Sequence, residues 1–384
     1  DLVGPVLKRC LEHNIQIVSN FGAANPQAAA QRIFALAREQ NLRTPRIAVV
    51  FGDDLTEPEQ LKFLLKKLGT DIDPKRVVSA NAYIGASEIA QALKEGADIV
   101  VTGRVSDPSL TLGPAIAHFG WAMDDWHKMG CGTMAGHMLE CGTQVSGGYY
   151  SVPGQKSVPG MDRIGFPIAE IRADGSFSVF KADNTGGLVD DRTGREQILY
   201  EVHDPARYLT PDVAADITEA SITQEGPDRI RIEGIQGHPR PAELKVNVCY
   251  DNGYLAEAEI SYAGFRARER AALAGETVRK RIGHLLALRV DLIGAISIFG
   301  DDAGALMNKG LPESRDVRLR VAGVHLDKAI AEKILREVTS LYCCGPAGGG
   351  GVRTSLRPRL DTLSCTIPRE SVPCGYRFVE EQRA

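Results

Sequence analysis

Residues 98–108 read DIVVTGRVSDP: an apolar run, Asp98–Thr102, breaks at Gly103-Arg104 and reaches Asp107-Pro108. That order describes a short buried strand released into a polar loop. Three upstream stretches repeat it. Ile15–Ser19 (IQIVS) ends in NFGAANP (20–26), whose Pro26 suits the first turn of a helix over Gln27–Arg38. Arg46–Phe51 (RIAVVF) stops at Gly52-Asp53-Asp54, ahead of a helix over Pro58–Leu68 with Leu61, Phe63, Leu64, Leu65 and Leu68. Val77–Ala80 opens into NAYIG (81–85) and a helix over Ser87–Lys94. Near-continuous apolar runs separated by helices are what a parallel sheet covered on both faces requires. An α/β domain with a Rossmann-like parallel sheet is therefore expected over 1–147.

After Gly147-Gly148 the pattern turns to period two, and 148–384 is expected to form a mixed α+β domain rich in antiparallel strands. Ser176–Lys181 follows an Asp174-Gly175 turn, and Leu244–Tyr250 and Tyr254–Tyr262 flank Asn252-Gly253, a hairpin signal. Helices are expected at Gly194–Glu201, Arg266–Leu286 and Ala329–Leu341, and strands at Val317–Val321 and Thr362–Pro368. A glycine-rich loop lies between the last helix and the last strand.

With 384 residues, two domains are the default. A net charge of −4 offers no electrostatic footprint for nucleic acid or an anionic membrane. The longest apolar runs are strand-sized, too short to span a bilayer. Eight cysteines without a Cys-x-x-Cys pair fit free thiols in a reducing cytoplasm. The chain starts at Asp1 rather than Met and enters a helix at once, which reads as a trimmed start.

In an open parallel sheet, ligands bind beyond the carboxyl ends of the strands. The loop Asn20–Asn25, with Gly22, offers backbone N–H groups and two amides to a carboxylate or phosphate oxygen; the alternative for Asn20 and Asn25 is a turn residue and an N-cap. Asp53 and Asp54 suit a sugar hydroxyl or a cation, or terminate a strand. Asn81 leaves the third run at the same end. Arg104 presents a planar fork for a carboxylate or phosphate, or pairs with Asp107, itself a natural N-cap before Pro108.

In GCGTMAGHMLECG (130–142), a helix puts His137, Glu140 and Cys141 on one face, with Gly132 and Gly136 permitting close backbone approach. His137 and Glu140 then form an oriented acid/base pair, or His137 simply packs in a helix interface. Cys141 is a nucleophile only if its pKa is lowered. A zinc site lacks the usual spacing and further ligands. In CCGPAGGGGVR (343–353), successive N–H groups at Gly348, Gly349 and Gly350, with Arg353 nearby, suit an anion nest or a flexible hinge. Cys343 and Cys344 read as buried strand-end residues. No Gly-x-Gly-x-x-Gly or Walker loop supports a nicotinamide or ATP site.

The phrases NFGAANP, GDDL, ANAYIGASEIAQALKEGADIVVTGRVSDPSLTLGP, AGHMLECGTQVSGGYY, GFPIAEI, TGGLV, DPARYLTPDV and CGPAGGGGVRTS together resemble the core domain of the acyclic terpene utilisation (AtuA) family, over essentially the whole chain. The resemblance implies bacterial breakdown of citronellol- or geraniol-like branched acids through CoA thioesters, beside or fused to acyl-CoA carboxylase components. Family cores typically begin with one more strand and a glycine-rich turn, not seen before Asp1. The small ferredoxin-like domain that often follows them is not seen either. No family catalytic residue is carried over.

The expected function is a cytoplasmic, homo-oligomeric catabolic enzyme hydrating or dehydrating a branched acyl substrate, a lyase of the hydratase kind. His137 with Glu140, or else Asp107, moves the proton; Arg104 and the glycine loop bind the anionic or thioester oxygens. No metal is expected, and no cofactor beyond a CoA thioester substrate. The competing expectation is a non-catalytic binding or assembly subunit of an acyl-CoA carboxylase-type complex, with a carboxylase subunit or a small ferredoxin-like protein as partner. A dehydrogenase on terpenoid alcohols is weakened by the missing dinucleotide fingerprint.

Overall fold

A computed structural model describes residues 2–23, 25–296 and 314–382. In chain order the helices are α1 (Gly4–Glu12), α2 (Pro26–Glu39), α3 (Pro58–Leu68), α4 (Ser87–Lys94), α5 (Ser109–Phe119), α6 (Trp126–Glu140), α7 (Asp191–Leu199), α8 (Ala267–Ile282) and α9 (Lys328–Cys344). The first strands are β1 (Ile17–Ser19), β2 (Ile47–Phe51), β3 (Val77–Ala82), β4 (Ile99–Val101), β5 (Pro167–Ile171) and β6 (Phe177–Lys181). Then come β7 (Tyr208–Leu209), β8 (Ala214–Asp216), β9 (Ser221–Gly226), β10 (Arg229–Glu233) and β11 (Gln236–His238). The last are β12 (Glu243–Ala263), β13 (Arg289–Ile293), β14 (Asp316–His325), β15 (Gly349–Pro368) and β16 (Gly375–Val379). The fold is a mixed α/β one with several sheets. Two compact units divide it: 1–70, 79–247 and 364–384 form the first, 71–78 and 248–363 the second.

In the first unit, β1, β4 and β2 pair in parallel, with β4 central and β16 antiparallel on β2. Ile47, Val49, Ile99 and Val101 face α1 and α2, packing on Leu7, Ile33 and Phe34. The alternate residues Ala48 and Val100 are also fully buried, and α4 packs on β2 and β4. Burial on both faces explains why these strands read as unbroken apolar runs. The expected fourth parallel strand is a correction: β3 pairs with β12, and the vacant place beside β2 belongs to β16. Its sequence VVSANA alternates in burial instead of being buried throughout, as a strand covered on both faces would be.

The expected boundary at 147 is also revised. Two antiparallel sheets, β5-β6-β10-β9 and β11-β8-β7, pack around α6 and share one core with it, so 148–247 belongs to the first unit. Ten of the fifteen residues of α6 are buried, which its small residues allow. A Cβ on Gly136 would lie 2.5 Å from Pro108 O, and one on Gly130 would lie 2.8 Å from Gln236 O. Gly132, by contrast, packs under the side chains of Leu112 and Trp121.

In the second unit, α8 and α9 share a core with the sheet β13-β14-β12-β15. The expected hairpin at Asn252-Gly253 does not form: β12 is one strand of 21 residues, paired antiparallel with β14 from Tyr254 to Ala263. A two-residue type I′ turn needs positive φ at both central residues, and only Gly253 (φ 82°) has it. That φ lets Gly253 lie against His325 O, which a Cβ would approach to 2.4 Å. The glycine loop is shorter than expected, because Gly349, Gly350 and Gly351 open β15. Cys343 and Cys344 end α9 and are exposed. All eight cysteines are free. No helix among the described residues is long and apolar enough to cross a membrane.

Candidate functional site

Parallel pairing brings the carboxyl ends of β1, β4 and β2 to one end of the sheet. Because β4 is central, its exit loop lies between the exits of its neighbours and is tied to both. On one side, Asn20 Nδ2 donates to Asp107 Oδ1 (3.1 Å). On the other, Asp53 Oδ2 accepts from the Arg104 backbone N–H (2.7 Å) and from Asn81 Nδ2 (3.0 Å). Gly103 makes that tie possible, since a Cβ there would lie 2.4 Å from Asp53 Oδ2. Burial pushes the Asp53 carboxyl up, while the N–H groups it accepts pull it back.

The ties separate the expected ligand residues by role. Asp53 is buried and spends its carboxylate on Arg104 and Asn81, joining the ends of β2, β3 and β4 rather than facing a sugar or cation. Asn25 is an N-cap, accepting from Ala28 N–H (2.9 Å). Gly22 is a packing position, with Thr102 O 2.6 Å from where its Cβ would be. Ala24, in the same loop, lies outside the described residues. Arg104 stands with its guanidinium carbon 5.2 Å from the Tyr83 ring centroid, and the Lys245 ammonium is 5.2 Å from the same centroid. Asp107 caps no helix: α5 has no side-chain cap. Burial raises its carboxyl, opposed by the charge of Arg104 and the Asn20 hydrogen bond.

Asp107 opens onto a cleft of about 690 Å3 whose wall also carries Tyr83, Glu140, Glu201, Arg207, Tyr208 and Lys245. Pro108, Leu209, Pro211, Pro241 and Leu244 supply an apolar side. Glu201 holds a left-handed backbone (φ 59°), strain that a non-glycine residue keeps only where its surroundings impose it. Among the described residues, no three His, Cys, Asp or Glu side chains gather as a metal-ligand set.

His137 and Glu140, three residues apart on α6, meet through Nδ1 and Oε1 at 3.1 Å. His137 is fully buried, and its Nε2 lies 2.9 Å from the backbone carbonyl of Gln197. A carbonyl only accepts, so Nε2 carries a hydrogen. A neutral imidazole then has a bare Nδ1, and the contact with Glu140 needs one proton: imidazolium against carboxylate, or imidazole against carboxylic acid. The Gln197 side-chain amide donates to His137 O (2.8 Å), and the Tyr208 ring stands edge-on at 5.3 Å. His137 therefore does not line the cleft as a catalytic base would; Glu140 does, with His137 behind it. Burial and the carboxylates of Glu140, Glu201 and Asp107 raise the Cys141 thiol against a hydrogen bond from Gln197, opposite to the lowering that a nucleophile would need. Burial, foremost, raises the Tyr208 phenol as well and keeps it a donor.

Gly348, Gly349, Gly350 and Arg353 belong to the second unit and line no part of this cleft. Sequence reasoning missed Tyr83, Glu201 and Arg207, which sit in loops, Tyr208, which opens the two-residue β7, and Lys245, an exposed position of β12. The one physical signal for them was DPARYLTPDV (204–213), where an aromatic and a cation sit between prolines.

A family model described as acyclic terpene utilisation family protein AtuA matches residues 1–378. Comparison with curated proteins and with solved structures found no match. The order of strand exits, the buried α6 and the cleft they build are thus those of a chain that belongs to the acyclic terpene utilisation family AtuA.

Proposed function

We propose that the chain is a catabolic enzyme that adds water to, or removes it from, a branched, acyclic-terpenoid-like acyl or acyl-CoA substrate in the cleft of the first unit. The observation that carries this is the 3.1 Å contact between His137 Nδ1 and Glu140 Oε1, which in this reading shares one proton, at a wall that also holds Asp107. In dehydration, Glu140 donates that proton to the departing hydroxyl, which leaves as water. Asp107, steadied by Asn20, takes the proton from the carbon next to the carbonyl, and the electron pair left behind forms the double bond. Tyr208 and Lys245 stabilise charge on the carbonyl oxygen. Hydration is the reverse. The proline-rich side supplies rigid apolar surface for a branched hydrocarbon.

The test is turnover of branched enoyl- and 3-hydroxyacyl-CoA substrates by the purified chain. Glu140→Gln keeps a donor to the bare Nδ1 of neutral His137, so its fold should persist while turnover drops by about 10^2- to 10^4-fold. Parent-level turnover in that variant overturns the proposal. No turnover by the parent together with a stable complex with a carboxylase subunit supports the assembly-subunit reading instead.

A further inference from the structure

Beside the cleft lies a second pocket, of about 370 Å3, in which Arg207, His238 and Arg240 are the charged or titratable lining residues; no carboxylate lines it among the described residues. It shares Arg207, Leu209, Pro241 and Ala242 with the cleft, so the two adjoin. The sheet β11-β8-β7 explains the gathering. On its central strand Ala214 is flanked by His238 on one side and Leu209 on the other, and its methyl group leaves the floor open. Arg207 immediately precedes β7, and Arg240 follows β11 by two residues.

The segment carrying Arg240 is held in place before any ligand arrives. Pro239 and Pro241 fix φ on either side of it, and the Arg369 guanidinium donates to Pro241 O (3.1 Å) and to Pro211 O. The Asp216 carboxylate lies 3.7 Å from His238 Nε2. The guanidinium groups of Arg207 and Arg240 form no hydrogen bond or ion pair with any described residue, although the Arg240 charge is felt by the carboxyls of Asp212 and Glu88 behind the pocket wall. Two planar forks without a hydrogen-bond partner and an imidazole around one concavity, with no acid among its described lining residues, match a group that carries more than one negative charge. A carboxylate carries only one.

We propose that this pocket is a phosphate subsite, taking a phosphomonoester or diphosphate on a ligand whose hydrocarbon end lies in the cleft. The assignment of the hydrocarbon end rests on the function proposed above; the anion site does not. The phosphate has two chemical sources, a nucleotide-borne carrier or a diphosphate ester of the hydrocarbon itself.

Calorimetric titration of the full chain at low ionic strength with inorganic pyrophosphate, adenosine 3′,5′-bisphosphate and an isoprenyl diphosphate tests the site. Pyrophosphate should bind, and Arg207→Gln and Arg240→Gln should each weaken it by about tenfold or more, with unchanged circular dichroism. Tighter binding of the bisphosphate assigns a nucleotide carrier; tighter binding of the isoprenyl diphosphate assigns the ester. Glu140→Gln should bind pyrophosphate as the parent does, so failure of the acid/base proposal leaves this result standing. Absence of binding by all three probes, or parent-like affinity in both arginine variants, overturns the proposal.

Discussion

Two asparagines that look alike in NFGAANP do different work. Asn25 accepts from Ala28 N–H at the start of α2, whereas Asn20 reaches across to the Asp107 carboxylate. Asn25→Ala should cost about 1 kcal/mol of stability, read by chemical denaturation, with turnover unchanged. Asn20→Ala should do the reverse, lowering turnover with little change in the denaturation midpoint, because it frees the proposed base without touching a helix. Equal effects of the two variants on both readouts would remove the distinction. The sequence left each asparagine open between turn, cap and ligand, since a cap partner is local and visible at spacing three while a partner 87 residues away is not. His137 and Glu140 were legible as a pair for the same reason. What the spacing did not carry was that Gln197, sixty residues on, seals the far side of the imidazole.

Among the elements, strands buried on both faces were the most readable, because continuous burial writes an unbroken apolar run. β2 and β4 fall inside the expected runs, as does the half-buried β1; α3 and α4 keep the expected bounds, and α2 exceeds its expected range by one residue at each end. The Asn252-Gly253 dipeptide misled because a turn signal states what the backbone permits, whereas pairing decides its use. Here β14 lies along Tyr254–Ala263 and leaves no second strand of the same chain segment to fold back. Gly253→Ala puts a Cβ 2.4 Å from His325 O at φ 82°. A loss of about 1–3 kcal/mol is expected in denaturation, the range for overpacking. If Gly253 sat in a solvent-exposed turn, only the smaller backbone penalty would appear. Gly349 is a parallel case: it reads as part of an anion nest or a hinge in sequence, and it opens β15 where a Cβ would lie 2.8 Å from Ile260 Cδ1 and 3.1 Å from the Tyr262 hydroxyl.

Across the whole molecule, the first unit buries a carboxylate that no local pattern announced. Asp212 accepts from Ala86 N–H (2.9 Å) and Ser109 Oγ (2.5 Å), and Gly85 leaves it room. Burial raises its pKa, opposed by those donors and by the charges of Arg369 and Arg240. A raised carboxyl favours the protonated folded state, so its contribution to stability is fullest below the unfolded value near 4 and is lost as pH rises through the folded value. Asp212→Asn cannot ionise. The difference in melting temperature between variant and parent should therefore move in the variant's favour from pH 4 to pH 8, by differential scanning calorimetry; a constant difference would show that Asp212 does not titrate in that window. By itself the sequence determined the apolar runs of β1, β2 and β4, the polar loops that leave them, the i,i+3 pairing of His137 with Glu140 and membership of the AtuA family. All of these depend on order along the chain or on neighbours within one helical turn. Only the tertiary structure decided that β16, antiparallel, rather than β3 takes the place beside β2, that α6 sits inside the 148–247 sheets, and that Asp107, Glu140 and Tyr208 share one cleft. Those depend on which distant surfaces pack together, and burial against a distant partner leaves no period in the sequence.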